Sequence, residues 1–478
     1  MTASTSTATT HPALRPAHEV PEEVTLRVTG QLPRELRGTL YRNGPGRWEG
    51  GGFVARHAFD GDGLVSKFVI DGGAVRFQSR YVRTPKFLAE EAGRGTGVRG
   101  MGNQRPGGVL GNVGRYPADS ANTHAIVQAD RLLALSDVGR PWDIDLDDLT
   151  TRGSCDFDGT LPMLSRFSPH PRLDPVTGEW FNFGVDLAPR LAAALPIGLR
   201  CYRVDRAGRL HIEATVPLAH AHIQHDFAIT ERYFVFVLAP IVLDPIKAML
   251  GLSTAEGATT YRPDIGTKIV LVPRHGGKRR EIDCPPLMYV HINNAFEDRG
   301  DVVVDLVRYD DYREFFDPAR DFRTPSIVGG YASRLRVGRA DKVTIADFSE
   351  QRTEMPQHDQ RRTASPYRYG YHATLDSRPD SSNRISKIDT ETGRHWEHVF
   401  EPGDAVGEPI FVPRSATAAE DDGWLLTAVY FAAENRSALV VLDARDPSRA
   451  PIAVARTDHH FFPGFHGSFT DRVAVARH

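Results

Sequence analysis

Four separate stretches of the chain carry histidines that could take part in metal chemistry. FFPGFHGSF (461–469) places His466 among four phenylalanines with a glycine close on either side. His170 lies in FSPHPRLDP and His291 in YVHINNAFED. A neutral imidazole is a good ligand for zinc, copper or iron, but an isolated histidine among apolar residues can equally be a satisfied core residue. Taken singly, each of these residues is compatible with both roles.

The fourth stretch, HAHIQH (220–225), is a local cluster of three histidines. Residues two apart on a strand point to the same face, so His220 and His222 could form a metal-binding pair. His225 ends the cluster, beside the apolar run that follows. A polar strand edge explains the same pattern without any metal, and the spacing leaves both interpretations open.

Histidines this far apart can meet only if the fold brings remote segments together. Runs such as LVSKFVIDGGAVRFQSRYV and DVVVDLVRY are rich in β-branched and aromatic residues and recur with Gly, Asp and Asn at the turns. This pattern predicts antiparallel sheet, with short helices only at 187–195 and 244–252. We therefore predict an all-β fold. A β-propeller accommodates so many strands without a linker, but no repeat of about 40 residues fixes a blade count.

Composition narrows the function further. The chain has 478 residues, 40% of them hydrophobic, and a net charge of −3, which argues against a nucleic-acid binder. Three scattered cysteines without a CxxC pair favour a reducing cytoplasm.

The Thr- and Ala-rich start predicts a disordered tail over residues 1–25, before a single domain over 26–478. No run reaches the about 18 apolar residues of a membrane span. The apolar stretch 235–252 is either core, a tunnel mouth or a peripheral membrane contact.

From about residue 30 to the end, the chain resembles the carotenoid cleavage oxygenases. These are non-haem iron enzymes that split alkene bonds in carotenoids, apocarotenoids and stilbenes. The resemblance is carried by many blocks in the same order: LRGTLYRNGPG (36–46), HAFDGDGLV (57–65), ANTHAIVQADRLLAL (121–135), FSPHPRLDPVTGEWFNFG (167–184), HDFAIT (225–230), VHINNAFED (290–298), TEMP (353–356), GEPIFVPR (407–414) and PGFHG (463–467).

This resemblance implies a fold and a metal site. The fold is a seven-bladed β-propeller with capping loops and short helices over an axial metal. The implied ligands of one Fe²⁺ per subunit are His170, His225, His291 and His466. The family pattern selects His225 from the local cluster and leaves the other two histidines as bystanders.

The resemblance also assigns carboxylates behind the ligands. Ligand histidines normally donate their second N–H to a carboxylate, which fixes the tautomer and supplies negative charge. Glu354 in TEMP and Glu408 in GEPIFVPR match two such family glutamates. Asp137 stands where the third is expected; it is one methylene shorter, so we expect its bond to be long, bridged by water or absent. Thr123 matches a threonine beside a vacant coordination position, or is simply a strand residue.

The implied reaction adds O₂ across a C=C bond and gives two carbonyl products, without an organic cofactor or external reductant. In the lignostilbene branch, a lysine and a tyrosine meet the substrate phenol. This chain has Ser136 in place of the lysine, and Phe87 corresponds to the tyrosine. This favours an apolar polyene, a carotenoid or apocarotenoid. The alternative is a stilbene or phenylpropene. An isomerase that uses the same four histidines, or a propeller that serves only as a binding scaffold, stays open at this point.

Overall fold

The computed structural model describes residues 11–163, 165–186, 198–312, 329–374 and 381–476. Within them, the α-helices are short: α1 (Pro85–Glu91), α2 (Gly108–Asn112) and α3 (Pro245–Met249). α3 falls inside the predicted helix 244–252, and the Asp244 carboxylate caps it by accepting hydrogen bonds from two backbone N–H groups. The helix predicted at 187–195 lies outside the described residues. No described helix is long and apolar enough to cross a membrane.

Strands are the main regular structure of the described chain, as the sequence predicts. The first half contains β1 (Val20–Thr25), β2 (Arg27–Gly30), β3 (Gly38–Arg47), β4 (Glu49–Gly50), β5 (Phe53–Val54), β6 (Asp62–Asp71), β7 (Ala74–Tyr81), β8 (His124–Gln128), β9 (Arg131–Leu135), β10 (Trp142–Ile144), β11 (Thr151–Ser154), β12 (Arg172–Leu173), β13 (Trp180–Asp186), β14 (Gly198–Val204), β15 (Leu210–Pro217), β16 (Ala228–Ile229), β17 (Tyr233–Leu238) and β18 (Ile241–Leu243).

The second half continues in the same way. It contains β19 (Thr259–Tyr261), β20 (Thr267–Pro273), β21 (Arg280–Cys284), β22 (Met288–Asp298), β23 (Asp301–Tyr309), β24 (Gly330–Val337), β25 (Val343–His358), β26 (Tyr369–Ala373), β27 (Ser382–Asp389), β28 (His395–Pro402), β29 (Ala405–Val406), β30 (Ile410–Pro413), β31 (Gly423–Phe431), β32 (Arg436–Asp443), β33 (Ala453–Arg456) and β34 (Gly467–Thr470).

The strands form antiparallel sheets that follow one another along the chain. Three sheets have four strands each, in the orders β11-β10-β9-β8, β12-β13-β14-β15 and β16-β17-β20-β21. A longer path runs from β22 to β28 in chain order. It divides at β25, whose first part pairs with β24 and whose last part, from Glu354, pairs with β26. The predicted antiparallel architecture is confirmed.

The two remaining large sheets combine strands from both ends of the chain. One has the order β1-β7-β6-β3-β34, so the C-terminal strand pairs with β3. The other has the order β2-β33-β32-β31-β29, with β30 also paired to β31. The C-terminal strand β34 is thus held in a sheet of N-terminal strands, and the N-terminal strand β2 is held in a sheet of C-terminal strands. His466, directly before β34, is fixed by this pairing.

The N-terminal segment is more ordered than the sequence suggests. β1 pairs with β7 from Val20 to Thr25, inside the segment predicted as a disordered tail. Before it, the backbone N–H of Ala17 donates to the carbonyl of Gly46 at 2.7 Å. The predicted tail therefore does not extend to residue 25. The turn between β6 and β7 depends on two glycines, because Gly72 and Gly73 take positive φ values of 60° and 82°.

Candidate metal centre

The structure brings the four histidines of the family pattern to one point. Each offers a ring nitrogen, and these atoms all lie within 4.8 Å of one another. His291 lies on β22, His170 and His466 lie directly before β12 and β34, and His225 lies in the segment between β15 and β16. Three of the side chains are buried and that of His225 is nearly so. Four separate sheets thus contribute one imidazole each.

The turn that carries His466 depends on a close backbone approach. Gly464 has a φ of +83°, and a Cβ at this position would lie 2.8 Å from the carbonyl oxygen of Asn43. The backbone of His466 is held on both sides, since its N–H donates to the Thr123 carbonyl and its carbonyl accepts from the Asn43 N–H. The glycine near His466 in the sequence therefore serves the turn rather than the imidazole.

The ring nitrogens face each other at distances that allow one metal ion to contact all four. The Nε2 atom of His225 lies 3.0 Å from that of His170 and 3.2 Å from that of His291. His225 and His291 each place Nδ1 against a carboxylate, so Nδ1 carries the proton and Nε2 presents a lone pair. Two lone pairs at this separation repel unless a proton or a metal ion lies between them. The donor set therefore fits a metal ion that accepts imidazole ligands.

Three of the histidines have a carboxylate directly behind them. The Nδ1–H groups donate from His225 to Asp137 at 2.7 Å, from His291 to Glu354 at 2.6 Å and from His466 to Glu408 at 2.8 Å. The described residues include no such carboxylate for His170. These bonds fix three tautomers and place three negative charges around the centre.

The two glutamates are themselves held in place. Glu354 accepts from the Tyr309 hydroxyl at 2.8 Å and from the N–H of Met355 at 2.6 Å. Glu408 accepts from the Gln357 side chain at 2.6 Å and from the N–H of Gly467 at 3.0 Å, and the Arg42 guanidinium lies 3.5 Å away. Both carboxylates are fully engaged, so their orientation toward the imidazoles is determined by the fold.

Burial and neighbouring charges set the protonation of the site. Burial, together with the nearby imidazoles, holds the pKa of His170 and of His466 well below its usual range. Burial also disfavours a charged His225, but the Asp137 carboxylate outweighs this and raises the pKa of that imidazole. Burial acts against an ionised Glu354 too, and its bonds to His291 and Tyr309 overcome it and lower the pKa. Neutral imidazoles are the form that binds metal.

The bond of Asp137 was predicted to be long, bridged by water or absent, and this prediction was wrong. The shorter side chain reaches His225 directly, at 2.7 Å, and the bond is neither long nor bridged by water. One oxygen, Oδ1, makes this bond, whereas Oδ2 is buried and has no hydrogen-bond partner among the described residues. The backbone after β9 brings the carboxylate close enough that the missing methylene is not needed.

The remaining sequence-predicted residues take distinct places. The Thr123 hydroxyl donates to the Asn122 side chain at 3.2 Å, and Thr123 contacts the centre through its backbone bond to His466. His222 places Nδ1 against the Ala239 carbonyl at 2.8 Å, and His220 is exposed. Neither belongs to the convergent group.

Two aromatic rings next to the centre were not identified from the sequence. The Phe59 ring stacks on His225, with centroids 6.2 Å apart and planes at 13°. The His124 ring lies 5.5 Å from that of His466, and its two nitrogens contact the carbonyls of Pro169 and Gly467. Both residues lie in blocks that carry the family resemblance, HAFDGDGLV and ANTHAIVQ, which was the available signal.

A cavity of about 400 Å³ reaches the centre at His225 and Asp137. Its wall is mainly aliphatic and aromatic, and includes Phe59, Ile223, Ile241, Leu243, Met249 and Val290. The stretch 235–252 therefore contributes both core and cavity wall: β17 is buried, and the residues after it line the cavity. Such a lining suits an apolar ligand.

The two positions that the resemblance matches to phenol-binding residues lie away from this cavity. Phe87 is buried on α1, where it stacks on Tyr81 with centroids 5.2 Å apart, and it does not line the cavity. Ser136 does not line it either, and its hydroxyl donates to Asp119 at 2.6 Å.

Comparison with known proteins agrees with this geometry. The family model described as retinal pigment epithelial membrane protein matches residues 14–471. The apocarotenoid-15,15'-oxygenase of Synechocystis sp. is 35% identical over 453 residues, 92% of each chain. The isoeugenol monooxygenase of Pseudomonas nitroreducens is 30% identical over 467 residues, 94% of each chain. The structure of cobalt-substituted Synechocystis ACO has a TM-score of 0.86 at 33% identity, covering 96% of this chain and 98% of that one. The chain belongs to the carotenoid cleavage oxygenase family.

Replacing His466 tests the metal-binding group. Because a buried site cannot readily recruit a substitute donor, we expect His466→Ala to lose bound metal, measured by elemental analysis of the purified protein. His222→Ala is the matched control, since that imidazole is bonded to a backbone carbonyl outside the group, and it should keep its metal. Full metal content in His466→Ala, or metal loss in His222→Ala, would contradict the assignment.

Asp137 can be tested in two directions. Removing the carboxylate with Asp137→Ala leaves His225 without its acceptor, and we expect metal affinity to fall by roughly 10–100-fold. Asp137→Glu should retain the metal, because Asp137 borders the cavity and the longer side chain has space there. Competition with a chelator measures both affinities. If Asp137→Ala binds metal as tightly as the wild type, the carboxylate does not support His225.

Proposed function

We propose that the protein is an Fe²⁺-dependent dioxygenase that cleaves a C=C bond of a carotenoid or apocarotenoid. The observation that carries this proposal is the convergence of four imidazoles, one of which, that of His225, also lines an apolar cavity. This arrangement joins a metal site to a chamber for an extended alkene. Family membership and the oxygenase names of the relatives support the same reaction type.

The donor set supports iron with positions left for other ligands. Four imidazoles leave a divalent ion short of an octahedral set, and imidazole is compatible with Fe²⁺ as well as Zn²⁺ or Cu²⁺. When bound, Fe²⁺ would supply O₂ activation beside the alkene. The balance is simple: the C=C bond and the O–O bond break, two C=O bonds form, and both oxygen atoms enter the products. No external reductant is needed.

The residues of this chain supply orientation and charge. His170, His225, His291 and His466 would hold the ion, one per subunit, and Asp137, Glu354 and Glu408 would keep three of the imidazoles in the Nδ1–H tautomer. The three carboxylates would also offset the charge of a divalent ion in a buried site. Thr123 would fix the backbone of His466 and limit space beside it. The apolar cavity would exclude water from the reacting double bond.

We propose that the sheets form a seven-bladed propeller that includes β1 and so begins before residue 26, the start predicted from the sequence. Dividing the β22–β28 path at β25 gives seven antiparallel sheets, each of four to six strands. The sharing of terminal strands between the first and last sheets supports closure into a ring, since it joins the two ends of the chain. The similarity to the Synechocystis structure supports the same arrangement.

The cavity wall favours a polyene over a phenolic alkene. Neither Ser136 nor Phe87 borders the cavity, so neither takes part in substrate selection. A stilbene or phenylpropene is the second candidate, because the isoeugenol monooxygenase and a lignostilbene dioxygenase of Sphingomonas paucimobilis are both 30% identical to this chain. The mainly aliphatic and aromatic lining of the cavity argues for the more apolar substrate.

We also propose that the protein is cytoplasmic and docks on a membrane at the cavity mouth. α3 lines the cavity, and the segment that follows α2 is joined to α3 by the hydrogen bond from the Gly114 N–H to the Met249 carbonyl. The two helices present exposed aliphatic side chains, with Leu110 89% and Ile246 67% exposed. Apolar residues at the opening of an apolar cavity would let a lipid-soluble substrate pass without crossing water. Three buried free cysteines support a reducing compartment.

A product assay tests the proposed reaction. The iron-loaded protein, incubated with an apocarotenal under ¹⁸O₂, should give two carbonyl products that each carry one labelled oxygen by mass spectrometry. Resveratrol and isoeugenol in parallel reactions test the second candidate. Rearranged polyene without cleavage would identify an isomerase, and metal-dependent cleavage of the phenolic alkenes alone would contradict the polyene assignment.

If Leu110 and Ile246 dock the protein on a membrane, replacing them should weaken its binding to lipid vesicles. The double variant Leu110→Ser/Ile246→Ser should co-sediment less with phosphatidylcholine vesicles than the wild type, because both side chains lose apolar contact area. Val399→Ser is the control, since this side chain is 53% exposed on β28 and lies outside the cavity mouth. Equal sedimentation of all three proteins would rule out docking by this surface.

A further inference from the structure

Asp137 is held toward its imidazole by fewer contacts than the two glutamates of the centre. Glu354 and Glu408 each accept at least two hydrogen bonds besides the one from their histidine. Asp137 accepts from His225 through Oδ1, whereas its Oδ2 is buried and has no hydrogen-bond partner among the described residues. No second donor therefore fixes the direction of this carboxylate. The path of its backbone must determine where it lies.

A second carboxylate holds the loop that carries Asp137. The loop 136–141 joins β9 to β10, and Asp119, in the segment before β8, bridges its two ends. Oδ1 of Asp119 accepts from the Ser136 hydroxyl at 2.6 Å, where the loop begins. Oδ2 accepts from the indole N–H of Trp142 at 2.8 Å, where β10 begins. Hydrogen bonds to carboxylate oxygens are stronger than those to neutral acceptors, so both ends of the loop are firmly restrained.

The middle of the loop packs against the same carboxylate. A Cβ on Gly139 would overlap the Asp119 side chain, so the loop backbone passes closer to it than another residue type would allow. Asp119 is itself fixed on the side of β8, because the backbone N–H of Ala121 donates to its Oδ1 at 2.9 Å. Asp119 thus contacts the loop at its start, its middle and its end.

The position of this loop matters because an aspartate has little reach. Its side chain is one methylene shorter than that of a glutamate, a difference of about 1.5 Å. A shift of the loop by a similar distance would stretch the 2.7 Å bond between Asp137 and His225 beyond hydrogen-bonding range. The two glutamates are less exposed to such a shift, since further donors hold their carboxylates directly.

We propose that Asp119 is a positioning residue of the metal centre, which holds the loop 136–141 so that Asp137 reaches His225 directly. The inference rests on the metal-binding role proposed for the four histidines. Asp119 neither belongs to the histidine group nor lines the cavity, so it would act on the metal through the loop. The loop then supplies the length that the shorter side chain lacks.

The test is a double-mutant cycle on Asp119 and Asp137, with affinity for Co²⁺ as the readout. Co²⁺ stands in for Fe²⁺; it is added to the metal-free full-length protein without substrate, in competition with a chelator. Asp119→Asn turns an amide N–H₂ group toward one of the donors. We expect it to lower the affinity by up to about tenfold, the lower end of the range for losing a direct partner of a ligand.

The second half of the cycle separates reach from general stability. In the Asp137→Glu background, Asp119→Asn should change the Co²⁺ affinity by less than about twofold, because the longer side chain spans the gap that a displaced loop leaves. Ser136→Ala, which removes one donor to Asp119 and keeps the others, should show part of the loss seen in Asp119→Asn. It also tests the inference if Asp119→Asn does not fold.

Asp145→Asn is the matched control within the same sheet. Its carboxylate accepts the N–H groups of Asp147 and Asp148 in the turn after β10, and this turn contributes no residue to the metal-binding group. The variant should melt at a lower temperature than the wild type and bind Co²⁺ equally well.

Two results would overturn the inference. One is wild-type Co²⁺ affinity in both Asp119→Asn and Ser136→Ala. The other is a loss in Asp119→Asn that is equally large in the Asp137→Glu background, since the reach of the carboxylate would then not be the cause. Neither result bears on the proposed cleavage, because no substrate is present. Conversely, iron-loaded wild type that cleaves no alkene would contradict the proposed function and leave the Co²⁺ results standing.

Discussion

The Nε2 atoms of three histidines from remote parts of the chain lie about as close together as hydrogen-bonded atoms, with separations of 3.0 and 3.2 Å. Two of these rings, His225 and His291, have Nδ1 committed to carboxylates and so present lone pairs to each other. Bringing lone pairs together in a buried site is unfavourable without a cation. The groups around the centre follow from this constraint, because each of them must hold an imidazole in place against the repulsion between the lone pairs.

The supporting groups come from separate sheets and tie the ends of the chain to the centre. Glu354 lies on β25, Glu408 lies just before β30 and Asp137 follows β9. Arg42, on β3, donates to the backbone carbonyls of Glu408 and Pro463, and lies beside the Glu408 carboxylate. The N-terminal strands therefore brace the carboxylate that orients His466. The metal centre and the pairing of β3 with β34 depend on each other.

Much of the fold and the ligand set could be predicted from the sequence, for different reasons. Runs of β-branched and aromatic residues between turn residues predicted the antiparallel strands, since that pattern is local. The four histidines could not be chosen from spacing, because His220 and His222 fit a strand pair better than the dispersed set does. Only the ordered family blocks selected His225. The bond between Asp137 and His225 and the position of Phe87 depend on where the backbone lies, to within about the length of one methylene. Residue type alone does not encode that placement.

The central claim is that four imidazoles bind one metal ion. X-ray absorption spectroscopy of the iron-loaded protein measures this directly, because imidazole rings give a distinctive multiple-scattering pattern. We predict a first shell of nitrogen and oxygen only, with scattering from four imidazoles. A shell that contains sulfur, or that is fitted by two imidazoles or fewer, would contradict the account.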